Sequence, residues 1–317
     1  MLTSQQIARF ERDGYLVVDG LLDKATVLEP VVSEYTVLLN SLIDQWAING
    51  KLEPINAAGS FAAAIRHVYA AGLDYFQPMD ISLPPGNITN DIPFHAGPAI
   101  FNLMTSAALL DVVESLIGPE ITSNPIQHVR IKPPVTELDD DEIRPHIGAT
   151  CWHQDRAVTL EEADATRMVT VWAAITDATI DNGCLQVIPG SHRGTLLQHC
   201  PHPQLAIPEN QFDGRLAQPV PISAGSVILF HPLTVHSSLD NTSDDVRWSF
   251  DLRYNVTGDP TGRPMFPDFV ARSRSQPETV LQSALLWKES WLVAREKLSK
   301  ENAVEIHRWD GTATVCA

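Results

Sequence analysis

The 317 residues predict an α+β chain, with helices wrapped on an antiparallel, mainly β core, as one domain. Three observations carry this. Up to about residue 120, apolar residues recur at three- and four-residue steps. From about residue 126 the texture changes to short β-branched or aromatic runs separated by turn chemistry. No helical segments alternate with those runs, which argues against a parallel sheet and for a barrel or double sheet.

In chain order, Thr3 and Gln6 form a capping box for a helix bearing Ile7 and Phe10, and Gly14 stops it before YLVV (15–18). Val32, Tyr35, Leu39, Leu42 and Trp46 mark a second helix, up to Gly50. FAAAIRHVYAAG (61–72) and the stretch from Phe101 to Ile117, closed by Gly118-Pro119, predict two more, their stripes being packed core. IQHVRIKPP, ATCWHQD, RMVTVWAAIT, CLQVIPG, PVPI, SVILFH and VRWSFDLRYNV read as strands, with NG, PGSHRG, SAGS and DNTSDD as turns between them. The helical part is then about 1–120, the β core about 121–256 and a C-terminal extension about 257–317. The extension contains a helix in PETVLQSALLWKESWLVAREKL, whose Trp287 and Trp291 are packing residues; it covers the barrel or makes a dimer contact.

Composition narrows the function classes. A net charge of −17 leaves no basic footprint for nucleic acid. No apolar run is expected to approach the roughly 20 residues of a membrane span, and charged residues from Arg9 to Asp13 break any signal-peptide core. A cytoplasmic protein is expected, as a monomer or homodimer. Four cysteines without a CxxC pair read as buried thiols rather than a disulfide framework or zinc knuckle. The acid run TELDDDEIRP (136–145) reads as a solvated loop, since EF-hand spacing is absent.

One stretch raises a chemical question. In CWHQDRAV (151–158), residues i and i+2 of a strand share a face, so His153 and Asp155 project together. Among 11 histidines a lone HxD is a weak signal. His236, at the end of SVILFHPLTVH, supplies a third ligand, and two histidines with one carboxylate form the facial set of non-haem Fe(II) oxygenases. Arg247 lies across the turn DNTSDD; its fork suits a carboxylate such as the distal one of 2-oxoglutarate, and Ser238 shares the strand face of His236. Other candidates read as structural: His231 on the opposite face, His192 in a turn, His199, Cys200 and His202 without a further partner, and Asn241-Thr242-Ser243 as a turn.

The sequence resembles the phytanoyl-CoA dioxygenase family of Fe(II)/2-oxoglutarate oxygenases. LTSQQIARFERDGYLVVDGLL, IKPP, WHQD, DNGCLQVIPGSHRG and the segment from His236 to Arg247 carry the resemblance, in the family's order, over about residues 2–256. It implies a double-stranded β-helix core (jelly roll, cupin-like), with His153, Asp155 and His236 as iron ligands and Arg247 as the 2-oxoglutarate anchor. It further implies that Ser238 assists Arg247, that Trp172 lines the cosubstrate pocket, and that Gln127 touches 2-oxoglutarate. The cofactors implied are Fe(II), 2-oxoglutarate and O2, with ascorbate as a stimulant. Related halogenases replace the carboxylate ligand by a small residue; Asp155 is present, which favours hydroxylation. The loop RAVTLEEADATR (156–167) is expected to face substrate, with Val158 and Leu160 as its apolar contacts. Arg130, Lys132, Arg156 and Arg167 are too dispersed to cradle coenzyme A phosphates, so a free metabolite or natural-product intermediate of secondary metabolism is the expected substrate. The alternatives are an acyl-CoA hydroxylase of the same family and a non-enzymatic β-barrel that binds a small ligand.

Overall fold

The computed structural model describes residues 1–55, 59–135, 147–201, 204–301 and 308–316. The acid run and His202 lie outside the described residues. Thr3 and Gln6 cap α1 (Ser4–Asp13) reciprocally, and Gly14 ends it at φ +80°. A side chain on Gly14 would meet His192 at 2.3 Å and Thr234 at 2.6 Å, so only glycine lets the chain turn this close to the sheets. In α2 (Glu29–Ile48) the fully buried row is Val31, Tyr35, Leu39 and Ile43, while Val32, Leu42 and Trp46 are only partly buried beside it. α3 (Phe61–Ala70) falls where the sequence places it, and a short α4 (Phe76–Met79) follows.

The single helix expected over 101–117 is two, α5 (Pro98–Met104) and α6 (Ala107–Ile117), broken at Thr105-Ser106. The 20-residue stretch Pro98–Ile117 is apolar enough by composition to cross a membrane, contrary to the expectation that no such run exists. Half of it is buried in this fold, where Ile100, Leu103, Leu109 and Val113 join the core.

β1 (Tyr15–Val18), β2 (Ile121–Lys132), β3 (Met168–Ala174), β6 (Val227–Phe230), β8 (Arg247–Val256) and β9 (Phe269–Arg272) form one sheet in the order β1-β6-β3-β8-β2-β9. β4 (Leu185–Val187), β5 (Gln218–Val220) and β7 (His236–Ser238) form a second, in the order β5-β4-β7. Two antiparallel sheets face each other with the helices on the outer face of the larger one, as the double-stranded β-helix expectation requires. β9 pairs with β2, so the β core runs past residue 256 into the extension.

β8 shows how the two layers are made. Its even positions, Trp248, Phe250, Leu252 and Tyr254, join the core shared with the helices, where Tyr35 packs on Trp248 and Phe250. Its odd positions, Arg247, Ser249, Asp251 and Arg253, lie on the face toward the small sheet, all buried but Asp251, which is partly buried. Period-two alternation thus places a polar row inside the sandwich. Beyond β9, α7 (Ala284–Leu298) buries Trp287 and Trp291 against Phe101, Phe94 and Phe266, as packing. Cys200 and Cys316 form a disulfide, which corrects the expectation of four thiols; only Cys151 and Cys184 are free. The partners lie 116 positions apart and meet because the tail returns across the sandwich mouth, which no local spacing rule can register.

Candidate metal centre and cosubstrate pocket

His153, Asp155 and His236 converge so that one ligand atom from each lies within 4.8 Å of the others. His153 sits on a bridge with His236 rather than in a regular strand, the two exchanging backbone hydrogen bonds of 2.9 and 3.0 Å. Asp155 already belongs to the 3-10 turn Asp155–Val158, so the expected shared strand face is a bridge followed by a turn. The turn still aims the carboxylate back: Asp155 Oδ1 lies 3.9 Å from His153 Nε2, and Oδ2 4.0 Å from His236 Nε2.

The tautomers are set by the outer ring nitrogens. His153 Nδ1 donates to the Cys151 carbonyl and His236 Nδ1 to the Thr234 carbonyl, each at 2.9 Å, which turns both Nε2 atoms toward Asp155. Burial, and then the neighbouring His236, push the His153 pKa down to about 3, so the imidazole is neutral. Burial works against ionisation of Asp155, but Arg253, His236 and His153 outweigh it and hold its pKa well below the carboxylate range. Arg253 donates to Asp155 Oδ1 and, at 3.0 Å, to the Ile126 carbonyl. Asp155 Oδ2 is buried with no hydrogen-bond partner. An orphaned carboxylate oxygen beside two imidazole nitrogens is what a divalent cation would satisfy, and the N2O donor set suits Fe(II).

A small cavity next to the triad is walled by both sheets. Lys132 and Arg247 face each other across the β2–β8 pair. Arg247 is 1% exposed, donates to Ser249 at 2.8 Å, and has its Nε and one Nη unpartnered; its guanidinium lies 5.2 Å from the Trp172 ring. Burial lowers its pKa to about 10, so it stays charged at neutral pH. Lys132 is driven well below the usual lysine pKa by burial and then by Arg247 and Arg130. Its Nζ donates to Ser238 Oγ at 2.6 Å, and the Thr150 amide donates to the same oxygen at 2.8 Å. A buried guanidinium facing a buried amine suits a carboxylate ligand.

A second cavity, of about 520 Å³, shares Arg130, Thr150 and His153 with the first. Its wall comes from distant segments: Phe76, Asp80 and Leu83 from the helical part, Val158 after the triad, and Arg263, Phe266 and Trp309 from the extension. Trp309 donates to the Ala157 carbonyl at 2.8 Å and Arg308 to the Thr159 carbonyl at 2.7 Å, so the tail lies over this cavity, the first of the two expected roles.

The predicted residues can now be placed. His153, Asp155, His236, Arg247 and Trp172 share the inner cavity. Ser238 is beside it, but its hydroxyl serves Lys132 rather than Arg247. Gln127 sits in the β2 bulge, buried, and lines neither cavity. Val158 lines the outer cavity; Leu160 does not, its amide being tied to the Gly262 carbonyl. His199 accepts from the Gln154 amide at 3.0 Å and donates to the Leu197 carbonyl, a neutral support for the HxD segment. His231 and His192 pack on each other and on the end of α1. Sequence reasoning missed Lys132 as a pocket residue and Arg253 as the partner of Asp155. The signal for both was strand alternation: Arg253 has the parity of Arg247 on β8, and Lys132 that of His128 and Arg130 on β2.

Two facing sheets, a His/Asp/His cluster at their mouth and a basic pocket beside it define a non-haem iron oxygenase dependent on 2-oxoglutarate. The sequence profile of phytanoyl-CoA dioxygenase (PhyH) matches residues 142–249. The bovine (Bos taurus) phytanoyl-CoA dioxygenase domain-containing protein 1 is 25% identical over 273 residues, 78% of this chain and 88% of that one. Over these residues the chain is similar to the phytanoyl-CoA dioxygenase family, and iron and 2-oxoglutarate are its cofactor and cosubstrate. Two solved structures share the fold. The non-heme monooxygenase ThoJ has a TM-score of 0.59 at 20% identity, over 93% of this chain and 97% of that one. The epimerase SnoN, in complex with Fe3+, alpha ketoglutarate and nogalamycin RO, has a TM-score of 0.52 at 22% identity, over 81% and 86%. At these identities the two structures speak to fold alone.

Proposed function

We propose that this enzyme hydroxylates a free small-molecule metabolite or natural-product intermediate, with His153, Asp155 and His236 holding iron and Arg247 holding the distal carboxylate of 2-oxoglutarate. The observation that carries the reading is the orphaned Asp155 oxygen between two imidazoles, beside a buried basic pocket. Iron, 2-oxoglutarate and dioxygen together supply an oxidant for an unactivated C–H bond, with release of succinate and carbon dioxide. The protein's part is geometric and electrostatic.

Arg253 keeps Asp155 ionised and fixes its Oδ1, leaving Oδ2 for the metal. Phe230, stacked at 4.6 Å on His236, holds that ring and keeps water from it. Lys132 and Arg247 lie on the cosubstrate side, with Trp172 under the guanidinium. The shared wall at Arg130, Thr150 and His153 lets a substrate in the outer cavity approach the metal side of His153. Asp155 occupies the place that a halide would need, which favours hydroxylation.

A free substrate is favoured over a coenzyme A ester because the outer cavity offers few uncommitted cations. Arg130 is paired with Asp251 at 2.8 Å and Arg253 with Asp155, which leaves little for several phosphates. The reading takes the protein to act in the cytoplasm, without nucleic acid or membrane, as a monomer or homodimer, with ascorbate as a stimulant. The test is Fe(II)-dependent release of succinate from 2-oxoglutarate. Iron-dependent succinate that rises with a metabolite panel supports the reading. No succinate from folded, iron-loaded protein contradicts it and favours a ligand-binding barrel; stimulation by coenzyme A esters alone moves the substrate to acyl-CoA.

A further inference from the structure

We propose that Arg263 is a receptor for a carboxylate on the substrate, so that this enzyme takes a carboxylic acid with an apolar body. The proposal rests on the oxygenase reading above and names the substrate class of the same outer cavity.

Basic side chains on the cavity wall are not equivalent. Arg130 pairs with Asp251, Arg253 with Asp155, and His128 Nδ1 with Asp80 at 2.7 Å. Among the described residues no carboxylate lies within 4.0 Å of Arg263, although the side chain is 5% exposed. One of its Nη groups donates to the Val158 carbonyl at 2.6 Å, and its Nε is buried without a partner. Burial, and then Arg253, lower its pKa to about 10, which leaves it charged at neutral pH. A buried cation without a counter-ion is costly and persists where a ligand supplies the missing charge. Asp310, another carboxylate on this wall, is already engaged by the amide and hydroxyl of Thr312.

The position is built into the fold. Gly262, at φ +74°, approaches the loop after Asp155 so closely that a Cβ would meet Thr159 Cβ at 2.5 Å. The Leu160 amide donates to the Gly262 carbonyl at 3.0 Å, so Arg263 is tied to the segment that leaves the metal ligand. The guanidinium stands 5.9 Å from the Phe266 ring, and Phe76, Leu83 and Trp309 supply apolar wall around the same space. A single guanidinium fork with one edge engaged on a carbonyl matches a monoanion better than a phosphate.

The test uses the full chain, made inert with Zn(II) in place of iron and saturated with 2-oxoglutarate so that the Arg247 pocket is filled. Aryl and alkyl carboxylic acids, 3-phenylpropionate among them, are each compared with their own primary amide by calorimetry or ligand-observed NMR. At least one acid is expected to bind about tenfold more tightly than its amide. That preference should fall below about threefold in Arg263→Gln and return in part in Arg263→Lys. No acid exceeding its amide in the native protein overturns the proposal, as does a preference that survives in Arg263→Gln. The native comparison stands even where a variant fails to fold. Succinate release by the iron-loaded native protein separates the outcomes: turnover without acid preference removes the receptor and leaves the oxygenase intact.

Discussion

Replacing Arg253 by methionine keeps much of its volume and removes its charge. Arg253 is 5% exposed and Asp155 is 1% exposed, so the change strands a buried carboxylate rather than trimming a surface pair. Breaking a buried pair commonly costs about 3–5 kcal/mol, and removing a group that orients a metal ligand commonly costs about 10–100-fold in affinity. Part of the charge loss is recovered when metal binds, so a Co(II) affinity loss toward the lower end of that range is expected. The sign of the pH effect follows from the folded state. Native Asp155 has a depressed pKa, so its ionised form, and the stability it contributes, persist above the unfolded value and are lost only as pH falls well into the acid range. Without Arg253, burial dominates and the carboxyl pKa rises, so Co(II) must displace a proton. Metal affinity of the variant should then climb with pH more steeply than that of the native protein, by up to about a further tenfold per unit below the raised pKa. Co(II) titration followed by visible absorption, between roughly pH 5 and 8, reads both effects. Native affinity with the native pH profile in folded Arg253→Met would refute this role.

Arg247→Ala should raise the 2-oxoglutarate requirement severely, in line with roughly 3–5 kcal/mol for an unpaired buried charge, while Arg247→Lys restores only part of it. Lys132→Met should raise the same requirement, as seen in the 2-oxoglutarate dependence of succinate release; unchanged dependence would leave Lys132 a structural partner of Ser238. Val158→Ala should alter substrate-stimulated turnover more than substrate-free 2-oxoglutarate decay. Leu160→Ala should instead show itself first in thermal stability, because Leu160 does not line the cavity. Cys316→Ser, or reduction, should lower stability by about 2–4 kcal/mol and raise uncoupled succinate formation as the tail over the cavity loosens. A melting temperature and coupling ratio equal to those of the oxidised protein would argue against the tail's closing role.

The sequence made the inner site legible and the outer one hardly at all. His153, Asp155, His236 and Arg247 stand in short segments with a repeating geometry, so strand parity and donor chemistry place them even though Asp155 proves to start a turn. Lys132 was judged by its distance from other basic residues, whereas its position opposite Arg247 in the strand pairing decides its role. The row of α2 is offset from the expected one because both stripes satisfy three- and four-residue steps, and only the packing of the whole fold selects Val31 and Ile43 over Val32 and Leu42. Arg263, Trp309 and the Cys200–Cys316 bond carry no local pattern. They matter through a return of the chain across the mouth, which is a property of the whole fold.

The most direct test of the central claim is anaerobic absorption spectroscopy on the native protein and its His153→Ala and His236→Ala variants. Fe(II) with 2-oxoglutarate should produce a weak visible charge-transfer band in the native protein, and the band should be absent from both folded variants. A band of native intensity and iron affinity in either variant would contradict the assignment of His153, Asp155 and His236 as the iron site.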